Sequence, residues 1–355
     1  MAPVKTLISA AAALLALAGT APAVAATPGE TLAAGVVVNP QIFSAGDDPY
    51  PPHGVTFPGG VTGYPDMAYQ ILPGFRPTVL DLYLPPATLK GPRPLLVFVH
   101  GGGWVGGGKR LSGAFDNWPA TLAAIARHGY VVAAVSYRFS GEAPFPAAIR
   151  DVKAAVRWLR GNADKYRIDK ARVYAIGGSA GGQLVGLAAT SCGAAALEPP
   201  APAGAGSGNP NVEKQTAGAS VAGLESTCLQ GAVAWYGIFD FTTMPGRPTE
   251  RAYLGCRDVP CTPEQLRAPS AQAYLSAKSP PMLVIAGSDD KTVPPQQTRD
   301  FAAAAKAAGA SVEMLIIPGV DHSFIGPTGE ATRAASRLAL ARSIDFLDRL
   351  SGNHR

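Results

Sequence analysis

The sequence has few charged residues and no extended run of one charge sign. Charged side chains make up 15% of the 355 residues, which is too few for a coiled coil or a similar long charged helix. The net charge of +5 is spread along the chain, and no basic block is interleaved with aromatic residues. This distribution argues against a nucleic-acid partner. Because 47% of the residues are apolar, an intrinsically disordered chain is excluded as well.

No apolar stretch is long enough to span a bilayer, which takes about 20 residues. The run Leu7–Ala18 is shorter than that, follows Lys5 and precedes the small-x-small site Ala23-Val24-Ala25. Residues 1–25 are therefore predicted to be a secretory signal peptide, with a membrane anchor as the alternative. We expect a secreted or periplasmic protein without stable membrane insertion.

Cysteine is scarce, with four residues in the chain. An even number in an exported protein indicates two disulfides, although four cysteines allow three pairings. We favour Cys192–Cys228 and Cys256–Cys261 because each pair brackets one apparent loop, and free buried thiols are the alternative. No CxxC-like spacing with a nearby histidine is present, so a zinc site is not indicated.

Most of the chain alternates between short apolar runs and helical patterns. Continuous apolar runs are typical of buried parallel strands, and they occur at Leu95–Val99, Val131–Tyr137, Val173–Ile176, Ala232–Tyr236, Met282–Ile285 and Val312–Ile317. The helical patterns are Leu122–Arg127, Phe145–Asn162, Gln183–Ala189, Gln297–Ala308 and Ala331–Leu350. Thr78–Leu84 alternates apolar and polar residues and ends at two prolines, which predicts an edge strand. Buried strands that alternate with helices indicate an α/β fold with a mostly parallel central sheet and helices on its faces.

Two segments depart from this alternation. Residues 26–77 are weakly periodic and are predicted to be an N-terminal arm of loops and short edge strands, ahead of a domain at 78–355. Residues 193–227 form a Gly/Ala/Pro-rich insert that is too long for an ordinary connection between a helix and a strand. We interpret this insert as a surface excursion clipped at its base by Cys192–Cys228, and a role as a lid is left open.

The sharpest local motif is Gly177-x-Ser179-x-Gly181, which lies between a predicted strand and a predicted helix. This is the nucleophile-elbow pattern, in which a very tight turn forces strained backbone angles on the serine and admits only small neighbours. Such a turn would lift the Ser179 hydroxyl above the sheet edge, at the positive end of the helix. An ordinary glycine-rich turn is the alternative interpretation.

A second glycine-rich motif, His100-Gly101-Gly102-Gly103-Trp104, follows the predicted strand Leu95–Val99. Consecutive glycines let backbone N–H groups point into a cavity, and acyl transfer needs such donors for its oxyanion. The same stretch matches a dinucleotide fingerprint, but no acidic residue ends the next strand. It also resembles a phosphate loop, but Arg110 stands where that motif has Ser or Thr. Nucleotide binding is therefore not expected.

A serine nucleophile needs a base, and the base needs a carboxylate to orient it. His322 follows the last predicted strand, at the carboxyl edge of the sheet where such sites gather. His100 is instead expected to brace the glycine loop. Asp290 follows the strand Met282–Ile285, which gives the chain order Ser179, Asp290, His322 that is found in α/β hydrolases.

The motifs together resemble the α/β-hydrolase superfamily, and most closely the bacterial feruloyl-esterase/acetyl-esterase-like branch near the hormone-sensitive-lipase-like group. The matching stretches are His100–Trp104, Gly177–Gly182, Asp290-x-x-Val293-Pro294 and Asp321–Phe324, within a match that runs from about Thr78 to Leu350. The resemblance assigns the acid of a catalytic triad to Asp290 rather than Asp289. It assigns the oxyanion donors to the N–H groups of Gly102, Gly103 and Ala180.

The resemblance implies a serine carboxylic-ester hydrolase that requires no metal or cofactor, and the predicted signal peptide implies that it is secreted. Its substrate is expected to be a small-molecule or polysaccharide-linked ester with a feruloyl or acetyl group, and a lipid or polymer ester is left open. Trp104, Tyr236 and Phe324 are candidates to line the substrate pocket, with ordinary core packing as the alternative for each. A serine peptidase of the same fold and a non-catalytic binding protein on a hydrolase scaffold are the competing hypotheses.

Overall fold

The computed structural model describes residues 54–200 and 224–353. These residues form one sheet whose strands are β1 Val55–Phe57, β2 Val61–Gln70, β3 Thr78–Leu84, β4 Arg93–Val99, β5 Val131–Val135, β6 Ile168–Gly178, β7 Gly231–Trp235, β8 Met282–Gly287 and β9 Val312–Ile317. The helices are α1 Trp118–Arg127, α2 Ala147–Gly161, α3 Ala163–Tyr166, α4 Ala180–Thr190, α5 Pro248–Leu254, α6 Pro263–Arg267, α7 Gln296–Ala307 and α8 Gly329–Ser351. Short 3₁₀ turns, among them His322–Phe324, connect several of these elements.

The strands lie in the order β1-β2-β3-β5-β4-β6-β7-β8-β9. The pairs β1–β2, β2–β3 and β3–β5 are antiparallel. The pairs β5–β4, β4–β6, β6–β7, β7–β8 and β8–β9 are parallel. Helices cover both faces, so the predicted α/β fold with a mostly parallel sheet is confirmed. Within the described ranges, no helix combines the length and apolarity needed to cross a membrane.

The central strand β4 shows why such strands have continuous apolar sequences. Leu95, Val97 and Val99 face the side covered by α2 and α4, while Leu96 and Phe98 face the side covered by α1 and α8. All five side chains are buried. Each contributes about 1.5–3 kcal/mol by leaving water. The carboxyl ends of the central strands are therefore a rigid platform for the loops that follow them.

Strand β3 has the predicted bounds Thr78–Leu84, but the prediction that it is an edge strand was wrong. It pairs with β2 on one side and with β5 on the other. β2 comes from the segment predicted to be an N-terminal arm, and register shifts after Tyr64 and Ala68 interrupt its pairing. Such bulges break the period of two that marks a strand in a sequence. The described part of that arm belongs to the sheet, and the predicted signal peptide at 1–25 lies outside the described residues.

The base of the 193–227 insert is tightly clamped, although residues 201–223 lie outside the described residues. The structure joins Cys192 to Cys228, and it also joins Cys256 to Cys261, the two pairings favoured from the sequence. The fully buried Lys153 ammonium donates to Ser191 O at 2.7 Å and to a carboxylate oxygen of Glu198 at 2.8 Å.

The clamped base lies at the amino-terminal edge of the sheet. Helix α4 begins next to Ser179 and ends at Thr190, just before Cys192. Eleven residues of helix span about 16 Å at 1.5 Å per residue. The described start of the insert, residues 193–200, therefore follows the end of α4 that is remote from Ser179. The lid hypothesis itself concerns residues outside the described ranges.

Candidate active site

Three residues predicted to act together meet at the carboxyl edge of the sheet. Ser179 follows β6, Asp290 lies in the loop after β8, and His322 lies in the loop after β9. His322 Nε2 is 2.9 Å from Ser179 Oγ, and His322 Nδ1 is 2.8 Å from Asp290 Oδ2. Both distances are those of hydrogen bonds. The imidazole thus connects the hydroxyl to the carboxylate, as a base-activated serine requires.

Ser179 sits in the tight turn that the sequence motif predicted. Its backbone angles are φ 56° and ψ −122°, which are uncommon for a residue with a side chain. The turn is held because Ser179 N–H donates to Trp235 O and Gln183 N–H donates to Ser179 O, both at 2.9 Å. A Cβ on Gly181 would lie 2.1 Å from Val99 O. Only glycine at position 181 lets the elbow approach the end of β4 so closely.

The Asp290 carboxylate is buried and held in one orientation. Its Oδ1 accepts hydrogen bonds from Thr292 N–H at 2.8 Å and Val293 N–H at 2.7 Å, which leaves Oδ2 to face His322. The neighbouring Asp289 is exposed, and one of its oxygens accepts from the Ser288 hydroxyl. Asp290 is therefore the carboxylate of this loop that reaches the imidazole.

Asp321 connects the loop that carries Asp290 to the loop that carries His322. Its Oδ1 accepts from Lys291 N–H at 2.9 Å and from His322 N–H at 2.7 Å. The Lys291 N–H, followed by the His322 N–H, lowers the pKa of the Asp321 carboxyl. Asp321 thus binds backbone amides of the two loops, and its carboxylate does not hydrogen-bond to the imidazole.

The glycine loop places unpaired amide donors beside Ser179. The N–H groups of Gly102, Gly103 and Ala180 find no hydrogen-bond acceptor among the described residues. Gly102 has φ 122°, and a Cβ there would lie 2.2 Å from Gly106 O. Because free N–H groups next to a nucleophile are what an oxyanion needs, the three predicted donors are available for that role.

His100 packs under the glycine loop and does not take part in the Ser179–His322 contact. Its Nδ1 is 2.7 Å from Gly101 O, an acceptor, so Nδ1 carries the proton and donates. Its ring stacks on Tyr137 with 4.4 Å between centroids. Burial lowers the pKa of His100 to about 4, so the imidazole is neutral near pH 7. These contacts fit the bracing role expected from the sequence.

The three predicted pocket residues are buried aromatic side chains packed against other rings near the site. The Trp104 ring stacks on Tyr253 with 4.4 Å between centroids. The Tyr236 ring packs edgewise against the His322 imidazole at 4.8 Å and against Phe324 at 4.7 Å. All three predicted residues are almost fully buried, Phe324 with 1% of its surface exposed. Contact of any of them with a substrate stays a prediction.

Helix α5 supports the site, and no motif in the sequence indicated this. The guanidinium of Arg247, just before α5, donates to Thr292 O in the loop after Asp290 and pairs with Glu250 at 2.8 Å. Thr249 lies against the glycine loop, since a Cβ on Gly103 would be 3.8 Å from it. α5 has seven residues, too few for a helical period to be recognised.

Among the described residues, no group of three or more His, Cys, Asp or Glu side chains could hold a metal ion.

A protein-family model described as BD-FAE matches residues 80–305, which is more than half of the chain. The chain belongs to the BD-FAE family. The matched range contains the glycine loop, Ser179 and Asp290, and it ends before His322.

Two curated relatives of this BD-FAE family member are esterases of Mycobacterium tuberculosis. Esterase LipQ is 31% identical over 62% of this chain and 48% of its own length. Esterase LipC is 31% identical over 56% of this chain and 45% of its own length. The chain thus spans about half the length of the curated relatives it matches.

Solved structures agree with the fold. A bifunctional GH43-CE protein from Bacteroides eggerthii is 26% identical with a TM-score of 0.65, covering 83% of this chain and 36% of that one. Esterase 2 of Thermogutta terrifontis is 24% identical with a TM-score of 0.61, covering 82% and 93% of the two chains. Together with the family match, these similarities confirm the predicted α/β-hydrolase fold.

Proposed function

We propose that this BD-FAE family member is a serine carboxylic-ester hydrolase. The observation that carries the proposal is the continuous hydrogen-bonded path from Ser179 Oγ through the His322 imidazole to Asp290. The free amide donors beside Ser179 and the esterase relatives LipQ and LipC support it.

The geometry suits acylation of the serine. His322 Nε2 takes the proton from Ser179 Oγ as that oxygen attacks the ester carbonyl carbon. Asp290 keeps the other imidazole proton on Nδ1 and stabilises the imidazolium that forms. The carbonyl oxygen becomes an anion and is bound by the amides of Gly102, Gly103 and Ala180. Collapse of this intermediate breaks the bond to the alcohol oxygen, which leaves with the proton from His322.

Deacylation uses the same groups with water as the nucleophile. His322 takes a proton from the water as its oxygen attacks the acyl carbon, and the same amides bind the second oxyanion. When that intermediate collapses, Ser179 Oγ leaves, recovers a proton from His322 and releases the carboxylic acid. The cycle returns every group to its starting protonation state.

Three exposed apolar side chains on loops next to the site, here called the apolar rim, support the proposal of an ester with an apolar part. Val105, Leu111 and Ile325 have 49%, 67% and 46% of their surface exposed, respectively. Val105 follows the glycine loop, and Ile325 follows the His322–Phe324 turn. The loop that bears Leu111 continues to Gly113, where a Cβ would lie 3.5 Å from Ser323 O. Exposed apolar side chains around a site often mark a binding surface, and we propose that they contact the substrate.

Among apolar esters, we propose a feruloyl or acetyl ester, free or linked to a polysaccharide, as the resemblance of the motifs suggests. A feruloyl ring would cover part of the apolar rim, whereas an acetyl group would leave the rim to the alcohol portion. A lipid or polymer ester is the alternative that the same rim allows.

We also propose that the protein is exported. The signal-peptide pattern at residues 1–25 supports this, as do the Cys192–Cys228 and Cys256–Cys261 disulfides, because such bonds persist in oxidising compartments. Sequencing the amino terminus of protein recovered from the medium or periplasm should show cleavage near Ala25. Recovery of uncleaved protein in the cytoplasm alone would contradict export.

The proposed activity is tested on the purified mature protein with p-nitrophenyl esters of increasing acyl length, methyl ferulate and acetylated xylan. We expect hydrolysis of at least the short p-nitrophenyl esters, and its loss in Ser179→Ala with an unchanged circular dichroism spectrum. A Ser179→Ala protein that keeps the wild-type rate would refute the proposal. The panel then decides between a feruloyl, an acetyl and a longer acyl group.

A further inference from the structure

The proposed oxyanion hole is assembled from two segments that are far apart in the chain. Gly102 and Gly103 belong to the loop after β4, whereas Ala180 is the first residue of α4. Amides stabilise an oxyanion when they lie about 2.7–3.1 Å from its position, and such geometry must be held within about 0.5 Å. The loop therefore has to be fixed against the helix.

Trp104, the last residue of the glycine loop, makes several contacts that can fix the loop. It directly follows Gly103 and has φ 59°, an unfavourable value for a bulky aromatic residue. Its carbonyl oxygen accepts from both the N–H and the hydroxyl of Ser140, at 2.8 and 3.1 Å. Its ring stacks on Tyr253 within 9° of parallel. Because the indole is buried, its N–H needs a partner inside the protein.

Gln183 supplies that partner from α4. Its Oε1 accepts from Trp104 Nε1 at 3.0 Å, and its Nε2 donates to Pro269 O at 2.8 Å. The side chain is fully buried, and both ends of its amide are used in the only orientation that pairs donors with acceptors. Its backbone N–H donates to Ser179 O, so the same residue is tied to the nucleophile turn.

We propose that Gln183 and Trp104 are positioning residues that hold the two halves of the oxyanion hole in register. The inference rests on the proposed function, and neither side chain touches the reacting atoms. Gly101 offers a competing constraint, since a Cβ there would lie 3.3 Å from Ser179 Cβ, which shows that the loop backbone already lies against the elbow. The test has to separate the side-chain link from this backbone contact.

The variant Gln183→Met keeps the length of the side chain and removes both hydrogen bonds. Its rates are measured on a p-nitrophenyl ester and on the matching thionoester, in which sulfur takes the place of the carbonyl oxygen and is a poor acceptor for amide donors. We expect kcat for the oxygen ester to fall about 10-fold with KM changed by less than about twofold. The ratio of kcat/KM for the oxygen ester to that for the thionoester should fall by a similar factor, which lost stability alone would not cause.

A matched control is found on the opposite face of the sheet. Trp235 Nε1 donates to Ser343 Oγ at 3.0 Å, and both residues are fully buried. Ser343→Ala removes the partner of a buried indole at the same distance but away from the glycine loop. We expect it to lower the melting temperature and to leave the oxygen/sulfur ratio unchanged.

Trp104→Phe and Gln183→Glu keep the inference testable if Gln183→Met folds poorly, and a double variant adds a test if it folds well. Trp104→Phe removes the same hydrogen bond from the loop side and should lower the ratio similarly. Gln183→Glu retains an acceptor for the indole and should restore part of the ratio. In the double variant of Trp104→Phe and Gln183→Met, the ratio should be no lower than in the worse single variant, because both changes remove one interaction.

The outcomes separate this inference from the function on which it rests. A folded Gln183→Met protein with the wild-type ratio would overturn the inference and leave the Gly101 contact as the constraint. An equal fall of the oxygen/sulfur ratio in Ser343→Ala would also overturn the inference, because any loss of core packing would then lower the ratio. Wild-type protein that hydrolyses neither ester would instead contradict the proposed function, and the positioning role with it.

Discussion

Asp289 and Asp290 are adjacent in the sequence, yet their carboxylates have different surroundings. The Asp290 carboxylate is buried, receives two backbone amides on one oxygen and faces His322 with the other. The Asp289 carboxylate is exposed and accepts from the Ser288 hydroxyl. Of these two adjacent residues, Asp290 is thus able to orient the His322 imidazole, whereas Asp289 is a surface group.

This difference predicts opposite effects of the same chemical change. Asp290→Asn should lower kcat for p-nitrophenyl acetate by about 10³–10⁴-fold, because an amide favours the wrong imidazole tautomer and cannot stabilise the imidazolium. Asp289→Asn should leave kcat within about threefold of wild type. Equal rates in the two variants would show that Asp290 does not orient His322.

The buried His100 imidazole should make the stability of the folded protein depend on pH. Burial lowers its pKa from 6.5 to about 4 in the folded protein, so only the unfolded chain takes up a proton between these values. Stability from this group is complete above pH 6.5 and is lost as the pH falls towards 4, by on the order of 3 kcal/mol. Urea unfolding at pH 7, 5.5 and 4.5 should show a shallower decline in His100→Gln than in wild type.

The control for this measurement is Ser343→Ala, which should keep the wild-type pH slope because it leaves His100 unchanged. If His100→Gln and wild type lose stability with the same slope, the imidazole is not the group that takes up the proton on unfolding.

Single residues differ in how far the sequence could identify them. Ser179 and Asp290 stand in motifs whose order along the chain already suggested their roles, and His322 follows the last strand. The link between Gln183 and Trp104 joins residues 79 positions apart, and nothing in a helical pattern shows which loop a buried amide will reach. Only the folded chain brings the two side chains together.

Among the structural elements, the glycine loop and the residues just after it should differ from one position to the next in their tolerance of an added Cβ. Gly102→Ala should lower kcat/KM at least about 100-fold, because the new Cβ would lie 2.2 Å from Gly106 O and the loop would have to move its amide donors. Gly106→Ala, two residues after the glycine loop, should change kcat/KM by less than about threefold, since no atom lies within 4 Å of a Cβ there. Steady-state rates on p-nitrophenyl acetate compare the two. Equal losses would show that the loop is sensitive to any added Cβ.

The strands show where sequence patterns succeed and fail. Strands buried on both faces have continuous apolar runs, and the predicted bounds of β4, β5, β7 and β8 are within two residues of the observed ones. β6 begins five residues before its predicted start at Val173, because its first residues are partly exposed and polar. β2 lies in the segment predicted to be loops and short edge strands, and its register shifts interrupt the alternation that marks a strand. β3 was assigned to the edge because of its alternation and the two prolines after it, yet it pairs on both sides. The short helices α5 and α6 lack the length over which a helical period can be read.

At the scale of the whole molecule, the site and the base of the 193–227 insert lie at opposite edges of the sheet. Replacing residues 201–223 by a short glycine-serine linker should therefore keep kcat/KM for p-nitrophenyl acetate within about threefold of wild type. The clamp formed by Cys192–Cys228 and by Lys153 with Glu198 is retained in that variant. A fall of more than about tenfold would show that the insert contributes to the site.

The proposed esterase activity depends on whether the fold makes Ser179 reactive. The most direct measurement is the intact mass of the protein after treatment with a fluorophosphonate, followed by peptide mapping. We expect one adduct, on Ser179, that is absent in Ser179→Ala and forms at least about 100-fold more slowly in His322→Gln. Labelling at another residue, or an unchanged rate without His322, would contradict the account.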